Sequence, residues 1–588
     1  MRKNKPHRKF EHEMILLKGE LIMKNSRKFT AMVAALALAA CSVAPMVASF
    51  SASAAVVTDK GSIAIENEAT GHVYEAYQIF DGDLTDDGVL SKVVWGAGID
   101  DAKTTDLLTA VQDITLDNAT TPFSACADAA DIAKVLSSAN VDTDAEITKK
   151  FASVVGNYLA PTATGTTEGS TEYKISDLDN GYYLVKDKDA SLNEKDDAYT
   201  RYIVLVAGTQ TDITPKSAKP TVMKKVQENV NESEVAATIG SLTETDKKWN
   251  DVADYNIGDS VPFKLYGTLP SADEYTEYDA YYYEFIDTLG AEFTPPTDAS
   301  AVTVKVNGTT VTDAEKNMRI KIDGQSINVS FENVKLVAPN ATDVITVEYQ
   351  AVLNKSAVVG LPGQQNEVKL AYSNNPNENY KPNTNDETED KPDDEGNTPV
   401  DKVIVFTYEL DTTKVDKTNN ATVLPDAEFK MQNADGKYAK VDDGGIFEGW
   451  VEENAASTLT SDANGKFIVK GIDDGTYTLI ETKAPDGYDT PKDDAAKFTV
   501  TLDATTVNNQ TWNDFVPANA LTSLTLNNTE VEDPNHGIAQ LKIENSKGST
   551  LPSTGGMGTT LFYLVGGVLV AGAGVTLITK KRVSKNNK

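Results

Sequence analysis

Apolar and polar residues alternate along most of the chain between residues 56 and 548. Segments such as "AVTVKVNG", "INVSFENVKLV" and "VITVEYQAVL" carry an apolar residue at almost every second position, and Gly, Asn and Asp turns interrupt them. A period of two residues is typical of strands that bury one face. A more helical pattern is found in "DAKTTDLLTAVQDI" and "DAADIAKVLSSA" of the N-terminal region. We therefore predict a mainly β protein with some helix in its N-terminal domain.

The regular spacing of these short strands predicts tandem immunoglobulin-like β-sandwich domains in an elongated rod. One polar stretch, "NNPNENYKPNTNDETEDKPDDEGNTP", breaks the strand pattern and indicates an acidic linker or a long exposed loop. The predicted divisions are a leader with a signal peptide (1–55), an N-terminal domain (56–215), a middle β-sandwich (216–385), the acidic linker or loop (386–401), a C-terminal domain (402–548) and a C-terminal signal with an apolar span and a basic tail (549–588).

The first 55 residues indicate a targeting segment rather than part of the fold. From Met23, a basic lead precedes an apolar run that closes on small residues, which is the pattern of a secretory signal peptide. The preferred cleavage site is Ala-Ser-Ala at 52–54, and Ala55 is the other option. A second interpretation stays open, because "LAAC" ending at Cys41 also fits a lipobox.

The C-terminal end contains the pentapeptide "LPSTG", formed by Leu551, Pro552, Ser553, Thr554 and Gly555. A largely apolar run from Thr559 to Thr579 follows, and the chain ends on the basic tail "KKRVSKNNK". The run is long enough to cross a hydrocarbon core of about 30 Å, and the tail would hold its end in the cytoplasm. Taken without the pentapeptide, the apolar run and the basic tail would also be explained by a plain C-terminal membrane anchor.

The order of pentapeptide, apolar span and basic tail resembles the cell-wall sorting signal of Gram-positive surface proteins. This resemblance implies that a sortase cuts between Thr554 and Gly555 and transfers the threonine carbonyl to an amine. It also implies that the mature protein has no transmembrane helix and is attached to peptidoglycan at the cell surface.

Composition narrows the classes of function. A net charge of −34 argues against nucleic-acid binding, and only Cys126 remains once the signal is removed, so no intrachain disulfide can form. The four histidines do not cluster, and the sequence contains no G-x-S-x-G motif and no P-loop. Acidic loops such as "DKDASLNEKDD" miss the EF-hand spacing. We therefore predict no enzyme that turns over an external substrate, no cofactor and no metal.

The C-terminal domain contains "YELDTTKVDK", "LPDAEF", "GTYTLIETKAPDGY" and "LKIENSKG". These segments resemble the collagen-adhesin (Cna) B-type repeat and the last domain of sortase-assembled pilins, and "YTLIETKAPDGY" matches the pilin E-box. In that family a lysine of the first strand bonds covalently to an asparagine of the last strand with the help of a buried glutamate. The matching residues are Lys414, Asn545 and Glu481.

Strand geometry supports this triad independently, because alternate residues of a strand share a face. Glu481 shares its face with Tyr477 and Leu479, Asn545 with Leu541 and Ile543, and Lys414 with Leu410 and Thr412. Burial would lower the pKa of the lysine and raise that of the carboxyl group, so that the neutral amine can attack the amide.

The middle domain repeats the arrangement. "ADYNIGDSVPFKL" and "YYYEFIDTLG" resemble the middle domain of major pilins, in which an aspartate usually replaces the glutamate. Lys224, Asp287 and Asn366 lie on faces shared with apolar neighbours and form the predicted triple. Lys225 and Asn374 stay open as alternatives, although the face of Lys225 is less apolar. No such triple is evident in the N-terminal domain.

The segment "ITPK" at the junction of the first two domains resembles the pilin motif and assigns the polymerising role to Lys216. Thr214 replaces the usual tyrosine and no tryptophan precedes it at the usual spacing, so Lys219 stays open as the alternative. Pro215 and Pro220 keep the segment extended and outside a strand ladder.

Together these features predict the major structural subunit of a cell-wall-anchored pilus. A sortase would join Thr554 of one subunit to Lys216 of the next, and autocatalytic Lys–Asn isopeptide bonds would stabilise each subunit. The expected partners are the sortase, identical pilin subunits and peptidoglycan, with minor or tip pilins and a host surface left open. The alternative is a monomeric LPxTG-anchored surface adhesin.

Overall fold

The computed structural model of the chain describes most of the residues between 57 and 583. The described ranges are 57–67, 69–85, 89–116, 118–138, 145–168, 173–192, 197–215, 218–229, 238–240, 242–244, 248–312, 318–382, 389–508, 520–547 and 558–583. The leader with its predicted cleavage sites, the predicted acceptor Lys216 and the pentapeptide at 551–555 lie outside these ranges.

In its described residues, the N-terminal domain combines two sheets with three α-helices. Its strands are β1 (Gly61–Ile65), β2 (Val73–Leu84), β3 (Leu90–Trp95), β4 (Gly165–Glu168), β5 (Tyr173–Leu178), β6 (Gly181–Asp187), β7 (Arg201–Val206) and β8 (Gln210–Ile213), and its helices are α1 (Thr104–Gln112), α2 (Ala129–Ser138) and α3 (Ala145–Gly156). One sheet has the order β5-β1-β8, and the other has the order β3-β2-β6-β7 with β4 paired to β2. The helices pack against the sheet that contains β2, where Phe151 of α3 stacks on Phe80. The predicted helical content of this domain is confirmed.

The middle domain is built from two facing sheets. Its elements are β9 (Val222–Gln227), β10 (Thr238–Ile239), β11 (Leu242–Thr243), β12 (Trp249–Asn250), β13 (Val252–Asp254), β14 (Ser260–Gly267), α4 (Ala272–Tyr275), β15 (Tyr283–Leu289), β16 (Phe293–Thr294), β17 (Thr303–Val306), β18 (Thr309–Thr310), β19 (Met318–Asp323), β20 (Ser326–Phe331), β21 (Ile345–Leu353), β22 (Gln364–Ser373), β23 (Glu395–Asn397) and β24 (Asp401–Phe406). One sheet runs β12-β9-β14-β21-β17-β18 and the other β13-β24-β22-β15-β20-β19. The alternating apolar residues of both sheets meet in one core, as expected for strands with one buried face.

The C-terminal domain is a second pair of sheets. Its strands are β25 (Tyr408–Asp416), β26 (Asn419–Val423), β27 (Glu428–Gln432), β28 (Tyr438–Val441), β29 (Phe447–Val451), β30 (Leu459–Thr460), β31 (Lys466–Ile472), β32 (Gly475–Lys483), β33 (Lys497–Thr506), β34 (Leu521–Leu526), β35 (Thr529–Glu530) and β36 (Ile538–Asn545). The smaller sheet has the order β26-β25-β31, and β36 pairs with β25 in parallel. The larger sheet runs β29-β28-β27-β32-β33-β34-β35. The mainly β prediction is confirmed throughout these domains.

The segment 386–401 was expected to be a linker or exposed loop, but its described residues 389–401 contain β23 and the first residue of β24, which pair within the middle domain. Strand β23 pairs antiparallel with β22, and β24 begins at Asp401 and pairs with β22 on the same sheet. Gly396 allows this approach, because a Cβ at that position would lie 2.7 Å from the ring of Tyr372. Polar composition indicated a loop, but backbone pairing does not require apolar side chains. The first strand of the C-terminal sheets is β25, which begins at Tyr408.

Strand β24 is shared between two cores. Its Val403 and Val405 pack in the core of the middle domain, whereas Ile404 and Phe406 pack in the core of the C-terminal domain. A single residue, Thr407, separates it from β25. The two domains are thus joined through packed side chains rather than through a flexible linker.

The last described element is helix α5 (Gly558–Val583). Its segment Leu561–Lys581 is long and apolar enough to cross a membrane by length and composition. It has the place and character of the apolar span predicted after the pentapeptide.

Candidate functional site

The predicted residues of the C-terminal domain converge on one buried position. Lys414 lies on β25 and Asn545 lies at the end of β36, its parallel neighbour, where Lys414 is level with Ile543. Glu481 lies on β32 of the facing sheet. The first and last strands of the domain therefore carry the lysine and the asparagine, and the opposite sheet supplies the carboxylate.

These three side chains form a closed set of hydrogen bonds. The Lys414 Nζ donates to Asn545 Oδ1 at 2.8 Å and to Glu481 Oε2 at 3.1 Å. The Asn545 Nδ2 donates to Glu481 Oε1 at 2.6 Å. One carboxylate thus contacts both the amine and the amide nitrogen.

The surroundings of Lys414 are apolar. Its side chain is fully buried, and its Nζ lies 5.4 Å from the ring centre of Phe429 and 5.6 Å from that of Phe498. Burial lowers the pKa of Lys414, and the neighbouring Glu481 opposes this shift only in part. Burial therefore shifts Lys414 toward the neutral amine, which is the nucleophilic form of lysine.

In the middle domain, the predicted residues come from both sheets. Asp287 on β15 and Asn366 on β22 lie on neighbouring strands, with Asp287 opposite Val368 and Asn366 opposite Leu289. Lys224 reaches them from β9 of the facing sheet. All three residues are fully buried.

A fourth residue, Tyr349 of β21, completes this set and was missed by the sequence analysis. The Lys224 Nζ donates to Asp287 Oδ2 and lies 3.4 Å from the Tyr349 hydroxyl. That hydroxyl donates to Asp287 Oδ1 at 2.9 Å and accepts from Asn366 Nδ2 at 2.7 Å. The alternation in "VITVEYQAVL" places Tyr349 on the inward face, and this was the available signal.

Burial dominates the electrostatics of the middle site as well. It lowers the pKa of Lys224 and raises that of Asp287, although the two groups partly offset each other's shift. It also raises the pKa of the Tyr349 hydroxyl, so the phenol stays protonated. The site can therefore hold a neutral amine beside a protonated acid.

The alternative residues are engaged elsewhere. The Lys225 Nζ contacts Asp251 Oδ1 at 2.5 Å, on the other face of β9. The Asn374 Nδ2 donates to the carbonyl of Asp197 in the N-terminal domain at 3.1 Å. The structure thus brings together Lys224 and Asn366 rather than these two.

The surroundings of the predicted pilin motif are described in part. Thr214 is exposed, and its carbonyl accepts a hydrogen bond from the Tyr202 hydroxyl at 2.6 Å. Lys219, the alternative acceptor, is exposed and acts electrostatically on Asp197. This segment joins β8 of the N-terminal domain to β9 of the middle domain.

Three family models match the chain. A Gram-positive pilin backbone subunit 2, Cna-B-like domain matches residues 257–376, and a SpaA prealbumin-like fold domain matches residues 408–514. An LPXTG cell wall anchor motif matches residues 543–585. The three matches follow the order of the middle domain, the C-terminal domain and the C-terminal signal.

Two curated relatives are about one quarter identical to the chain in sequence over the aligned residues. The trypsin-resistant surface T6 protein of Streptococcus pyogenes serotype M6 is 26% identical over 428 residues, which covers 63% of this chain and 70% of that protein. The fimbrial subunit type 2 of Actinomyces naeslundii is 25% identical over 365 residues, which covers 57% of this chain and 59% of that protein.

Similar solved structures include two pilins. The T6 backbone pilin of serotype M6 Streptococcus pyogenes is 18% identical with a TM-score of 0.48 and covers 84% of this chain and 99% of that chain. The major pilin SpaD of Corynebacterium diphtheriae is 15% identical with a TM-score of 0.43 and covers 83% and 98%, respectively.

Pilin backbone domains, the anchor motif and the relatives all point to one class of protein. The middle and C-terminal domains match pilin families, and the anchor motif includes the apolar helix α5. The chain contains domains of Gram-positive backbone pilins and an LPXTG cell-wall anchor motif, and it is homologous to the T6 surface protein and to the fimbrial subunit, which places it in a structural rather than an enzymatic class of surface protein.

Proposed function

We propose that this chain is the shaft subunit of a covalent pilus, stabilised by two internal Lys–Asn bonds and polymerised by a sortase. The main support for the internal bonds is the geometry at Lys414. There the buried Glu481 carboxylate contacts both the attacking nitrogen, Lys414 Nζ, and the leaving nitrogen, Asn545 Nδ2. The pairs would be Lys414 with Asn545 and Lys224 with Asn366.

In the C-terminal domain, the neutral Lys414 Nζ attacks Cγ of Asn545. The Nζ–Cγ bond forms, the Cγ–Nδ2 bond breaks, and Nδ2 leaves as ammonia. Glu481 takes a proton from Nζ through Oε2 and passes a proton to Nδ2 through Oε1, in keeping with its hydrogen bonds to both atoms. Each molecule reacts once, so the process is self-modification without turnover.

In the middle domain, the same exchange of bonds requires a longer proton path. Asp287 contacts Lys224 but reaches the Asn366 amide only through the Tyr349 hydroxyl. Protonated Asp287 gives its proton to the Tyr349 hydroxyl while Tyr349 gives its own to the departing Asn366 nitrogen, and Asp287 then takes a proton from the Lys224 Nζ, so that the acid and the phenol are both restored. Tyr349 therefore acts as a relay between the acid and the leaving group.

Between subunits, the sortase breaks the amide bond from Thr554 to Gly555 and holds the Thr554 acyl group. The Nζ of Lys216 in the next subunit takes over that acyl group, and a new amide bond forms. Lys219 is the alternative acceptor. Repetition of this step builds the shaft, and transfer of the last acyl group to a peptidoglycan amine anchors it.

The internal bonds replace the disulfides that the chain does not form. Lys414 and Asn545 are 131 residues apart. In the chain-entropy model for cross-links, closing a loop of this length stabilises the folded state by about 5 kcal/mol. The bond also joins the first and last strands of its domain, so it resists separation of its ends.

Intact-mass measurement of the chain released from the wall tests the internal bonds. Each bond removes one ammonia. Two bonds should therefore lower the measured mass about 34 Da below the mass calculated from the sequence between the first and last residues of the released chain. In Glu481→Gln the deficit should fall to about 17 Da, because only the middle bond forms. The exposed Glu453→Gln serves as the control and should keep the full deficit.

A wild-type mass equal to the calculated value would refute both bonds. A full deficit in Glu481→Gln would leave the bonds in place but remove the assigned role of Glu481.

A further inference from the structure

The tail that follows β36 stays attached to the C-terminal domain for two further residues. The Asp489 amide donates to the Ser546 carbonyl at 3.1 Å, and Tyr488 and Lys547 form an antiparallel bridge. Asp489 and Tyr488 belong to the loop 484–490, which follows β32 and contains the end of the E-box "YTLIETKAPDGY". This E-box loop therefore holds the tail as far as Lys547.

A buried carboxylate fixes the loop and the tail together. Asp416, the last residue of β25, is 2% exposed and accepts from the Thr418 amide at 2.7 Å and from the Thr418 hydroxyl at 2.6 Å. The Tyr488 hydroxyl donates to Asp416 Oδ2 at 2.7 Å, and the Lys547 Nζ lies 3.4 Å from the same oxygen. The Lys547 Nζ also lies 6.0 Å from the ring centre of Tyr488. The end of β25, the E-box loop and the tail therefore meet at one anchored point.

The pentapeptide begins only a few residues beyond this anchored point. Leu551 is four residues, and Thr554 seven residues, beyond Lys547 in the sequence. An extended chain spans at most about 3.6 Å per residue, so Leu551 can lie no more than about 14 Å from Lys547, and Thr554 no more than about 25 Å. An enzyme that holds the whole pentapeptide in a groove must therefore bring its own surface within about 14 Å of Lys547.

Before sorting, the membrane limits the space on the other side of the cleavage site. The apolar segment of α5 begins at Leu561, fourteen residues beyond Lys547. These residues span at most about 50 Å when fully extended. A single-domain enzyme of about 150 residues has a radius of gyration of about 15 Å and hence a width of about 40 Å. Such an enzyme fills most of the gap between membrane and domain, so only a fully extended tail would keep it clear of the domain.

The surface beside the anchored point is exposed and is made from two loops. The E-box loop exposes Asp486, Gly487 and Asp489, and the turn from β25 to β26 exposes residues 417–420. The Tyr488 hydroxyl joins the two loops through its hydrogen bond to the end of β25. These exposed residues are named the E-box face. It is the part of the domain that an enzyme bound to the pentapeptide reaches first.

We infer that the E-box face is a docking surface for the sortase that acts on Thr554 in the proposed sorting reaction, on which this assignment depends. Because the anchored tail keeps the pentapeptide beside the face, an enzyme that binds the peptide meets the face at a high effective concentration. The folded domain then raises the affinity of the enzyme without any change in the pentapeptide. The sortase therefore recognises this chain by its C-terminal domain as well as by "LPSTG".

Cleavage of the folded chain and of the isolated peptide by one enzyme tests this docking. The enzyme is a purified sortase of the producing bacterium that cleaves the peptide 548–558, "GSTLPSTGGMG". The full-length chain and the peptide are treated in the same detergent, and mass spectrometry follows cleavage between Thr554 and Gly555. We expect kcat/KM for the chain to exceed that for the peptide by at least about tenfold, chiefly through a lower KM.

Asp486→Arg/Asp489→Arg changes the E-box face and leaves the pentapeptide intact. We expect its KM to rise toward that of the peptide, with kcat little changed. The matched control is Asp435→Arg/Asp503→Arg, an exposed pair near the start of β32, whose other end leads into the E-box loop. This control should be cleaved like wild type, and circular dichroism checks that both variants fold.

A flexible insertion tests the docking without changing the face. About ten Gly and Ser residues placed between Gly548 and Ser549 lengthen the link from the anchored point to the pentapeptide. A longer link lowers the effective concentration of the face, so kcat/KM should fall several-fold toward the peptide value. Faster cleavage would show that the face obstructs the enzyme, and would refute the docking.

Equal kcat/KM values for chain and peptide would overturn the inference and leave the sorting reaction standing. Cleavage of a folded Asp486→Arg/Asp489→Arg variant at the wild-type rate would do the same. An equal loss in the control pair would show that the effect reports net charge rather than this face, and would also refute it. Cleavage of the peptide but not of the wild-type chain would refute the proposed sorting reaction itself, and the docking with it.

Discussion

Two lysines of this chain are buried beside a carboxylate and an asparagine, and the main difference between the two sites is one tyrosine. Glu481 contacts both Lys414 and Asn545 directly. In the middle domain the Tyr349 hydroxyl stands between the acid and the amide, with a bond of 2.7 Å from Asn366. The shorter reach of an aspartate leaves a gap that the phenol fills. The middle site should therefore depend on a hydroxyl group that the C-terminal site does not need.

Tyr349→Phe should prevent or slow the bond between Lys224 and Asn366. The ring still fills the core, but the proton path to the amide nitrogen is broken. We expect the mass deficit to fall from about 34 Da to about 17 Da, measured on the intact chain. Tyr438→Phe, a change of the same chemistry on β28, is the control. An unchanged deficit in Tyr349→Phe would exclude a role for the hydroxyl.

The sequence predicted which side chains face inward, but it could not predict what they meet across the core. Lys414, Glu481 and Asn545 lie on strands in which apolar and polar residues alternate. The two-residue period and the resemblance to the pilin domain were therefore sufficient to predict that these side chains meet. Tyr349 has the same inward position, yet its function depends on the offset between two sheets, which no local pattern encodes.

At the scale of elements, His72 ties three parts of the N-terminal domain together. It directly precedes β2, and its Nδ1 and Nε2 contact Asp187 at 2.7 Å and Asp197 at 2.9 Å. Asp187 ends β6, and Asp197 lies in the loop that leads to β7. Burial lowers the pKa of His72, but its hydrogen bonds to the two carboxylates and their charges outweigh burial and raise the pKa to about 9.

This ion-paired histidine predicts a loss of stability at alkaline pH. The pKa is raised from 6.5 in the unfolded chain to about 9 in the folded one, so folding favours the protonated form. The contribution is complete below pH 6.5, declines as the pH rises and is lost above about pH 9. Thermal unfolding across this range should show it, and His72→Gln should remove this part of the pH dependence.

His536→Gln is the control for the alkaline effect, because His536 lies in the C-terminal domain. If wild type and His72→Gln lost stability in parallel between pH 6.5 and pH 9, the loss would have to come from groups other than His72.

Element boundaries were predictable only where side-chain pattern and backbone pairing agree. The strands of the middle and C-terminal domains alternate clearly, and the structure contains them. Strand β23 at Glu395–Asn397 does not, since its glycine and polar residues are typical of a loop. Its pairing with β22 depends on backbone hydrogen bonds and on the absence of a Cβ at Gly396.

At the scale of the whole molecule, the proposed acceptor segment and the pentapeptide lie before and after the middle and C-terminal domains in the sequence. The acceptor segment joins β8 to β9, and the pentapeptide follows β36. The middle and C-terminal domains, with both buried lysine sites, lie between them in the chain. Every subunit of a polymer linked in this way would carry its load through both domains.

Lys216→Ala in the producing cell should abolish polymerisation. Without the acceptor amine the Thr554 acyl group passes to peptidoglycan as a single subunit, so the high-molecular-weight ladder of a wall extract collapses to monomer. Lys219→Ala is the matched control and should keep the ladder. Loss of the ladder in Lys219→Ala alone would reassign the acceptor, and its persistence in the double variant would show that neither lysine is the acceptor. Absence of the ladder in the wild type would favour the monomeric surface adhesin.

The strand shared by two cores has a consequence for how a fibre bends. Rotation at the join of the middle and C-terminal domains would withdraw Ile404 and Phe406 from one core, or Val403 and Val405 from the other. Exposing a side chain of this size costs about 1.5–3 kcal/mol. Thermal motion does not supply enough free energy to expose several of these side chains at once. A pilus would therefore have to bend elsewhere than between the middle and C-terminal domains.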